Sequence, residues 1–462
     1  MTAFASLAST NSPASGLPAT VTATEVVEIL LFRGGFNTSV VVAATTLLGL
    51  AAGIIGGLAL LRKRSLVADA LGHATLPGIA AAFLAASALG LGRSMPVLLL
   101  GAALSAVLGM LALHALLRVT RIREDAAIAI VLSVGFAIGV VLLSVVQSQA
   151  AAGAAGLHHF IYGQTAAMQV ADAVLMGALA LAGMLAASLL LKEFGLVAFD
   201  EPFARADGWP VGLVDLLLMG LVVVATVAGL QAVGLILVVA LLVVPPVAAR
   251  YWTDRLRRFV VLSAAFGAAG GYLGAVASAA LPGKPAGAVI VLVSGAFFLL
   301  SMLFAPARGI VAVALDRLAG QVRIAGEHLL ERTFESWRST RGIPVIEPHL
   351  LQSIAHERGW SGWLRAATLA ALRWRGLTTR EDGTLRLTGS GLLRGAQVSR
   401  NHRLWEQYLV THADLAPSHV DWSVDLVEHV LSPDLVAALE AQLRDRGVDV
   451  PRLKEFRGEG IA

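Results

Sequence analysis

The residues best suited to metal chemistry in the apolar part of the chain are Asp69 and His73. They lie four residues apart in the stretch 65–78, whose other residues are mostly apolar or small. In a helix this spacing places both side chains on one face. Ionisable residues inside an apolar span are costly and usually mark an ion or substrate pathway, and a carboxylate with an imidazole suits Mn, Fe or Zn. The alternative is an Asp–His hydrogen bond that only fixes helix packing.

Further ionisable residues lie at the ends of apolar segments. Glu124 and Asp125 begin one such segment and could form an exit site for the ion, although acids at a helix N-terminus are also stabilised by the helix dipole. His158 and His159 lie in the loop 148–165, which carries few charges and is expected outside. They could meet an incoming ion, or lie at an interface without touching it. Glu124, Asp125 and His159 are therefore secondary candidates for the pathway.

A second group of metal-ligand residue types lies in the C-terminal third of the chain. Its last three members have the i, i+3, i+4 spacing that places them on one helical face. Two carboxylates and imidazoles from separate helices suit Mn(II) or Fe(II), and the alternative is a network of salt bridges between helices. The candidate set is His328, Glu331, His402, Asp425, Glu428 and His429.

The composition places most of the chain in a membrane. Of 462 residues, 57% are apolar and only 14% are charged, whereas soluble proteins average about 25% charged residues. This excludes an ordinary soluble enzyme, and the absence of Cys excludes a disulfide scaffold. The predicted organisation is a flexible leader (1–24), a membrane domain (25–305), a linker (306–326) and a soluble domain (327–462).

Nine apolar segments are candidates for membrane spans. A span needs about 20 residues, and the 40-residue stretch 211–250 fits two spans that turn near Gln231–Gly234. Basic residues cluster in three short loops, which predicts that these loops are cytoplasmic. With an external N-terminus, nine spans place the C-terminal domain in the cytoplasm. The segments are 38–61, 66–90, 95–117, 125–147, 168–191, the two within 211–250, 258–281 and 287–304.

Several ordered motifs resemble those of the manganese/zinc/iron family of ABC-importer permeases. The resemblance covers about 25–305. It implies an all-α domain of eight or nine spans, similar to the cobalamin and siderophore importers, in the cytoplasmic (inner) membrane. The motifs are Asp69-Ala-Leu-Gly-His-Ala-Thr-Leu-Pro-Gly78, Ile122-Arg-Glu-Asp-Ala-Ala-Ile-Ala-Ile130, His159-Phe-Ile-Tyr-Gly163, the stretch 199–208, Gln231-Ala-Val-Gly-Leu235 and Leu242-Val-Val-Pro-Pro246.

The same resemblance implies the partners and the pathway. Asp69 and His73 match positions on the metal pathway. The expected partners are an extracytoplasmic metal-binding protein, membrane lipid, a second permease subunit (identical or different) and a separate cytoplasmic ATPase. No Walker-type phosphate-binding motif occurs in the chain, so we expect a transport subunit that is not itself an enzyme.

One segment between two spans is the candidate ATPase-coupling helix. It is polar and amphipathic, and Pro202 and Gly208 are typical boundaries of a short helix. An interfacial turn is the alternative. The predicted coupling residues are Asp200, Glu201, Phe203, Arg205 and Gly208.

The tail resembles the iron- and manganese-dependent regulators related to diphtheria toxin repressor, over about 327–445. Residues 377–389 are typical of a β-hairpin wing that turns at Asp382-Gly383. By position, the six residues of the tail set match metal ligands, although Asp425 stands where Glu is usual and His328 where Asp is usual. The helix 362–375 has few polar residues for base contacts, so nucleic acid is not an expected partner. Trp360, Trp363 and Trp374 are expected in the core.

The leading hypothesis is therefore a permease subunit that imports a divalent metal. No permanently bound cofactor is expected. The carboxylate-rich tail favours Mn over Zn or Fe as the transported ion, and a regulatory Mn or Fe could bind the tail. The alternative is a membrane-anchored metal-responsive regulator, in which the spans serve mainly as an anchor.

Overall fold

The structure, a computed structural model, describes residues 23–89, 95–148, 168–281, 284–340, 342–412 and 433–445. Within these ranges the chain is almost entirely helical. It divides into two compact units, 1–312 and 313–462. The expected leader and His159, Asp425, Glu428 and His429 lie outside the described residues, apart from the last two leader positions, which begin α1.

In its described residues, the first unit is built mainly from apolar helices. Its described part begins with the short helix α1 (Ala23–Leu30). The residues that directly follow Ser148 lie outside the described ranges. Helices α7 and α8 are short and lie between longer ones. The helices are α2 (Phe36–Leu61), α3 (Ser65–Ala88), α4 (Met95–Val119), α5 (Glu124–Ser148), α6 (Val170–Leu189), α7 (Leu191–Phe199), α8 (Glu201–Ala206), α9 (Val211–Val233), α10 (Leu235–Arg250), α11 (Leu256–Ala280) and α12 (Ala286–Phe304).

Eight of the described helices are long and apolar enough to cross a membrane. The stretch 211–250 forms two helices, as its length predicts. They separate at Gly234, whose φ of 79° is readily adopted only by glycine. The second of them, α10, has only 16 residues and spans about 24 Å at 1.5 Å per residue. The ninth expected span is thus a shorter apolar helix.

Small residues allow helix α2 to pack closely against its neighbours. A Cβ atom on Gly53 would collide with the carbonyl oxygen of Ser263 in α11, and one on Gly56 would collide with that of Leu242 in α10. These glycines therefore serve helix packing, as expected for a membrane bundle. Helix α2 is the most buried of the eight candidate spans.

In its described residues, the second unit contains a two-stranded hairpin and five helices. Strands β1 (Thr378–Glu381) and β2 (Thr384–Leu387) are antiparallel, with Glu381 opposite Thr384. Asp382 and Gly383 both have positive φ, 52° and 79°, which is the geometry of a two-residue I′ turn. The predicted wing is therefore present. The helices are α13 (Ile310–Thr340), α14 (Pro348–Glu357), α15 (Gly362–Trp374), α16 (Gly389–His412) and α17 (Pro433–Asp445).

The expectation that three tryptophans lie in the core of this unit is wrong for two of them. Trp360 packs against the core, but Trp363 is 52% exposed and Trp374 is 88% exposed. Helix α15 buries Leu372. Nine residues are two and a half helical turns, so Trp363 lies on the face opposite Leu372.

Candidate functional site

Asp69 and His73 lie on one face of α3, in the second and third turns of the helix. Their neighbours Ala68, Ala70 and Ala74 are buried, whereas the side chains of Asp69 and His73 are 38% and 24% exposed. The two residues are therefore neither enclosed by the bundle nor fully open. A side chain on this face can touch an ion that passes along α3.

The distance between the two side chains is suited to a shared ion. Asp69 Oδ1 lies 3.5 Å from His73 Nε2, longer than the 2.7–3.2 Å typical of a hydrogen bond. Two ligand atoms that each lie about 2.1 Å from one ion at a tetrahedral angle are about 3.4 Å apart. The geometry therefore fits the metal-contact hypothesis better than the hydrogen-bond alternative.

The other ring nitrogen of His73 is buried and has no hydrogen-bond partner among the described residues. The ring packs edge-on against Phe136 of α5, with the ring centroids 5.2 Å apart. The described residues contain no group of three or more His, Asp or Glu that could hold a metal ion. The described part of one subunit thus offers an ion two ligands at this point.

The acids at the start of α5 both lie near arginines. Glu124 Oε1 is 3.1 Å from Nε of Arg64, and Asp125 lies 3.8 Å from Arg123 at an exposed position. An ion leaving through Glu124 would compete with Arg64 for the carboxylate. Their role as an exit site stays a prediction.

The segment between α7 and α9 forms the short helix predicted from Pro202 and Gly208. Asp200 caps its start, since its Oδ1 accepts a hydrogen bond from the backbone N–H of Phe203 at 2.9 Å. At its end, Gly208 has a φ of 84°, and the N–H of Trp209 donates to the carbonyl oxygen of Ala204 at 2.9 Å. Capping at both ends fixes a helix of only six residues.

This short helix presents aromatic residues to its surroundings. Phe203 is 56% exposed, and Phe199 and Trp209 are also exposed. Arg205 projects nearby and forms an ion pair with Glu201 at 2.5 Å. Exposed aromatic residues with an arginine are typical of the centre of a protein–protein interface.

A buried ionic cluster near this helix was not found from the sequence. Asp215 in α9 accepts two hydrogen bonds from Arg62, at 2.8 and 3.0 Å, and lies 3.1 Å from Arg64. Arg62 also lies 2.7 Å from Glu201. The one available signal was an acid inside the apolar stretch 211–250.

The ion pairs of this cluster shift the pKa values of its members. The bond to Asp215 raises the pKa of the Arg62 guanidinium above its usual value, despite the opposing effect of burial. The bond from Arg62 lowers the pKa of Glu201, although burial raises it. Both groups are therefore held in their charged forms.

In the tail, the structure brings some of the predicted ligands together. Glu331 Oε1 lies 3.4 Å from Nδ1 of His402. His328 is 3% exposed, and its Nε2 lies 2.8 Å from Nη1 of Arg358. A guanidinium at this distance occupies the side of the imidazole that a metal would use.

Comparison with known proteins gives two matching families. Residues 37–305 match the ABC 3 transport family. Residues 388–453 match the iron dependent repressor, metal binding and dimerisation domain.

Individual relatives match either part or most of the chain. The manganese transport system membrane protein MntC of Bacillus subtilis (strain 168) is 36% identical over 381 residues, which cover 82% of this chain and 86% of the relative. The zinc transport system membrane protein TroC of Treponema pallidum (strain Nichols) is 43% identical over 271 residues, which cover 59% of this chain and 90% of the relative. The solved structure of PsaBC from Streptococcus pneumoniae in complex with Fab is 30% identical with a TM-score of 0.53, covering 61% of this chain and 97% of that one.

Proposed function

The chain belongs to the ABC 3 transport family, and from this membership we propose that it is the permease subunit of an importer for a divalent transition metal, with Mn favoured over Zn and Fe. The eight apolar helices make it a multi-pass membrane protein. The proposal places it in the cytoplasmic membrane with its tail in the cytoplasm.

The observation that carries this proposal is the partly exposed Asp69–His73 pair on α3. The carboxylate supplies one negative charge and the imidazole a neutral donor, a combination suited to Mn, Fe and Zn. Two ligands from one subunit hold an ion weakly, which suits a cargo that must leave again. A second permease subunit would contribute further ligands when it packs against the same face.

Two observations favour manganese as the cargo. The match to the manganese relative MntC spans 381 residues, which is too long to end at residue 305 and therefore reaches the tail. In addition, the candidate tail ligands combine carboxylates with imidazoles, which suits Mn(II).

The short helix α8 is the proposed docking site for the separate ATPase. Its exposed Phe203 and Arg205 offer an apolar anchor beside a charge, and interface hot spots commonly contain such residues. An extracytoplasmic binding protein would deliver the ion at the opposite side of the membrane. The second permease subunit is either a copy of this chain or a related one.

The tail is proposed as a metal-responsive regulatory domain of the transporter. Glu331 and His402 lie close together. Asp425, Glu428 and His429, which lie outside the described residues, are the proposed further ligands of an O/N set. His328 is the least suited of the six, since it faces Arg358.

Metal uptake by cells that express the complete transporter tests the proposal. Asp69→Ala and His73→Ala should each abolish Mn uptake, while His114→Ala, which removes an imidazole from α4 outside the proposed pathway, should leave it unchanged. Competition by Zn and Fe then ranks the ions. Normal uptake by both α3 variants would refute the site.

A further inference from the structure

We propose that Asp215 is a positioning residue that joins the ATPase-docking helix α8 to the metal-pathway helix α3. The inference rests on the proposed function of these two helices. Asp215 touches neither the ion nor the ATPase in this proposal. It acts through two arginines.

Asp215 is a buried carboxylate held by two cations. It lies in the second turn of α9 and is 7% exposed. Arg62 binds both of its oxygens, at 2.8 and 3.0 Å, and Arg64 lies 3.1 Å from one of them. Bidentate, charge-assisted contacts of this kind are short, directional and stronger than neutral hydrogen bonds.

The turn between α2 and α3 is built to present both arginines on the same side. Arg62 directly follows α2 and Arg64 directly precedes α3. Between them Lys63 has a φ of 60°, and the N–H of Arg64 donates to the carbonyl oxygen of Ala59 at 2.8 Å. This is the pattern of a Schellman cap, and it fixes the turn rigidly.

Arg62 connects Asp215 to the docking segment. Its Nη1 lies 2.7 Å from Glu201, the first residue of α8, and 3.1 Å from the carbonyl oxygen of Val197 in α7. One guanidinium therefore binds α7, α8 and α9 at once. A displacement of α8 by the ATPase pulls directly on Arg62.

Arg64 connects the same carboxylate to the pathway helix. It directly precedes α3, five residues or about 7.5 Å before Asp69 along the helix. Its Nε lies 3.1 Å from Glu124 at the start of α5. Helices α3 and α5 together carry the contact between His73 and Phe136. A movement at Asp215 can thus reach α3, which carries Asp69 and His73, and α5, which packs against His73.

Asp215 is the acidic partner that the two poorly exposed arginines share. The side chains of Arg62 and Arg64 are only 13% and 14% exposed. Removing the shared carboxylate leaves both cations buried with one acidic partner each, Glu201 and Glu124. The two arginines then lose their common anchor, and α8 can move without α3.

The test uses the full transporter with its ATPase and binding protein in proteoliposomes. Both ATP hydrolysis and Mn uptake are measured for Asp215→Asn. We expect the ions moved per ATP hydrolysed to fall about tenfold or more, as for the loss of strong charged hydrogen bonds. The Mn concentration that gives half-maximal uptake should stay unchanged, because Asp69 and His73 are intact.

Asp254→Asn is the matched control. Asp254 also lies between two arginines, Arg250 at 3.4 Å and Arg308 at 2.7 Å, but it is mostly exposed. Its loss should leave the ratio of uptake to hydrolysis at the wild-type value. A merely structural effect of Asp215→Asn would lower hydrolysis and uptake together.

If Asp215→Asn does not assemble into the transporter, Arg62→Lys tests the same connection between α8 and Asp215. Lysine keeps the charge but cannot bind Asp215, Glu201 and Val197 in the same fork geometry, so the ratio should again fall. A wild-type ratio in the assembled variants would overturn the inference. Failure of the proposed function would look different, since Asp69→Ala would then transport Mn normally.

Discussion

Oδ1 of Asp69 and Nε2 of His73 are 3.5 Å apart, one turn from each other on α3. This separation is too long for a strong hydrogen bond and close to the spacing of two ligands on one ion. In the first unit, the two residues combine this spacing with side chains that are neither fully buried nor fully exposed. If the two side chains share an ion, the carboxylate of Asp69 must be charged and Nε2 of His73 must be free to bind it.

Asp69→Asn should nearly abolish Mn uptake while the protein folds normally. The amide has the shape of the carboxylate but lacks its charge, and Mn prefers charged oxygen ligands. We expect a loss of at least about tenfold, since a charged contact contributes about 1.5–3 kcal/mol. Uptake of radioactive Mn into proteoliposomes measures this. Ser65→Ala on the same helix is the control, and an unchanged rate for Asp69→Asn would exclude the carboxylate from the pathway.

Phe203→Ala should weaken binding of the ATPase. Truncation of an exposed aromatic anchor typically costs an interface about 2 kcal/mol or more, about a thirtyfold loss of affinity. Co-purification and titration of the ATPase onto the permease in nanodiscs measure the change. Phe36→Ala removes a phenylalanine that is more exposed than Phe203, at the first position of α2, and should have no effect. Equal affinities for the two variants would contradict docking at α8.

The sequence predicted features that depend on local spacing. Pro202 and Gly208 correctly bounded α8, Asp382-Gly383 correctly marked the turn of the wing, and both family resemblances are confirmed. The boundaries of α8 and the turn of the wing are each set by fewer than about ten neighbouring residues, and each motif behind the resemblances is similarly short.

Features that depend on distant contacts could not be predicted in this way. Arg62 and Asp215 are 153 positions apart, and no periodicity links them. The exposure of Trp363 and Trp374 likewise depends on which face of α15 the core covers. Composition alone favours burial of tryptophan, and tertiary packing overrides it.

Lys63→Gly should stabilise the protein slightly. Lys63 adopts a left-handed backbone conformation, with a φ of 60°, which costs a non-glycine residue about 1–2 kcal/mol. Glycine loses more chain entropy on folding, so we expect a net gain of no more than about 1 kcal/mol. The thermal unfolding midpoint in detergent reports it. Lys63→Val should have the opposite sign, and a rise for valine would argue against a strained turn.

Stability should depend on pH through Glu201. Arg62 lowers the pKa of this carboxyl below its usual value of 4.5. The ion pair therefore stabilises the fold fully above that value and loses its effect as the pH falls through the lowered pKa. Because Glu201 is one-third exposed, solvent weakens the effect.

Glu201→Gln provides the comparison for this pH dependence. The variant should be less stable than the wild type at pH 7. The difference should shrink as the pH falls from 4.5 through the lowered pKa, where the folded carboxyl takes up its proton. Thermal midpoints across this range measure the difference. A constant gap at every pH would mean that the pair does not contribute through its charge.

Deletion of residues 306–462 should leave Mn uptake intact but remove its regulation. The proposed pathway and the proposed docking helix lie within residues 37–305, the part that matches the transport family, so the tail is not needed to move an ion. Cells with the truncated chain should continue to import Mn after cytoplasmic Mn has risen. If deletion instead abolished uptake while the membrane part still folded, the tail would be essential to transport.

Glu331→Gln with His402→Ala should mimic the deletion, because these changes remove the two candidate ligands that lie 3.4 Å apart. His349→Ala, which changes an exposed histidine elsewhere in the tail, should respond to Mn like the wild type.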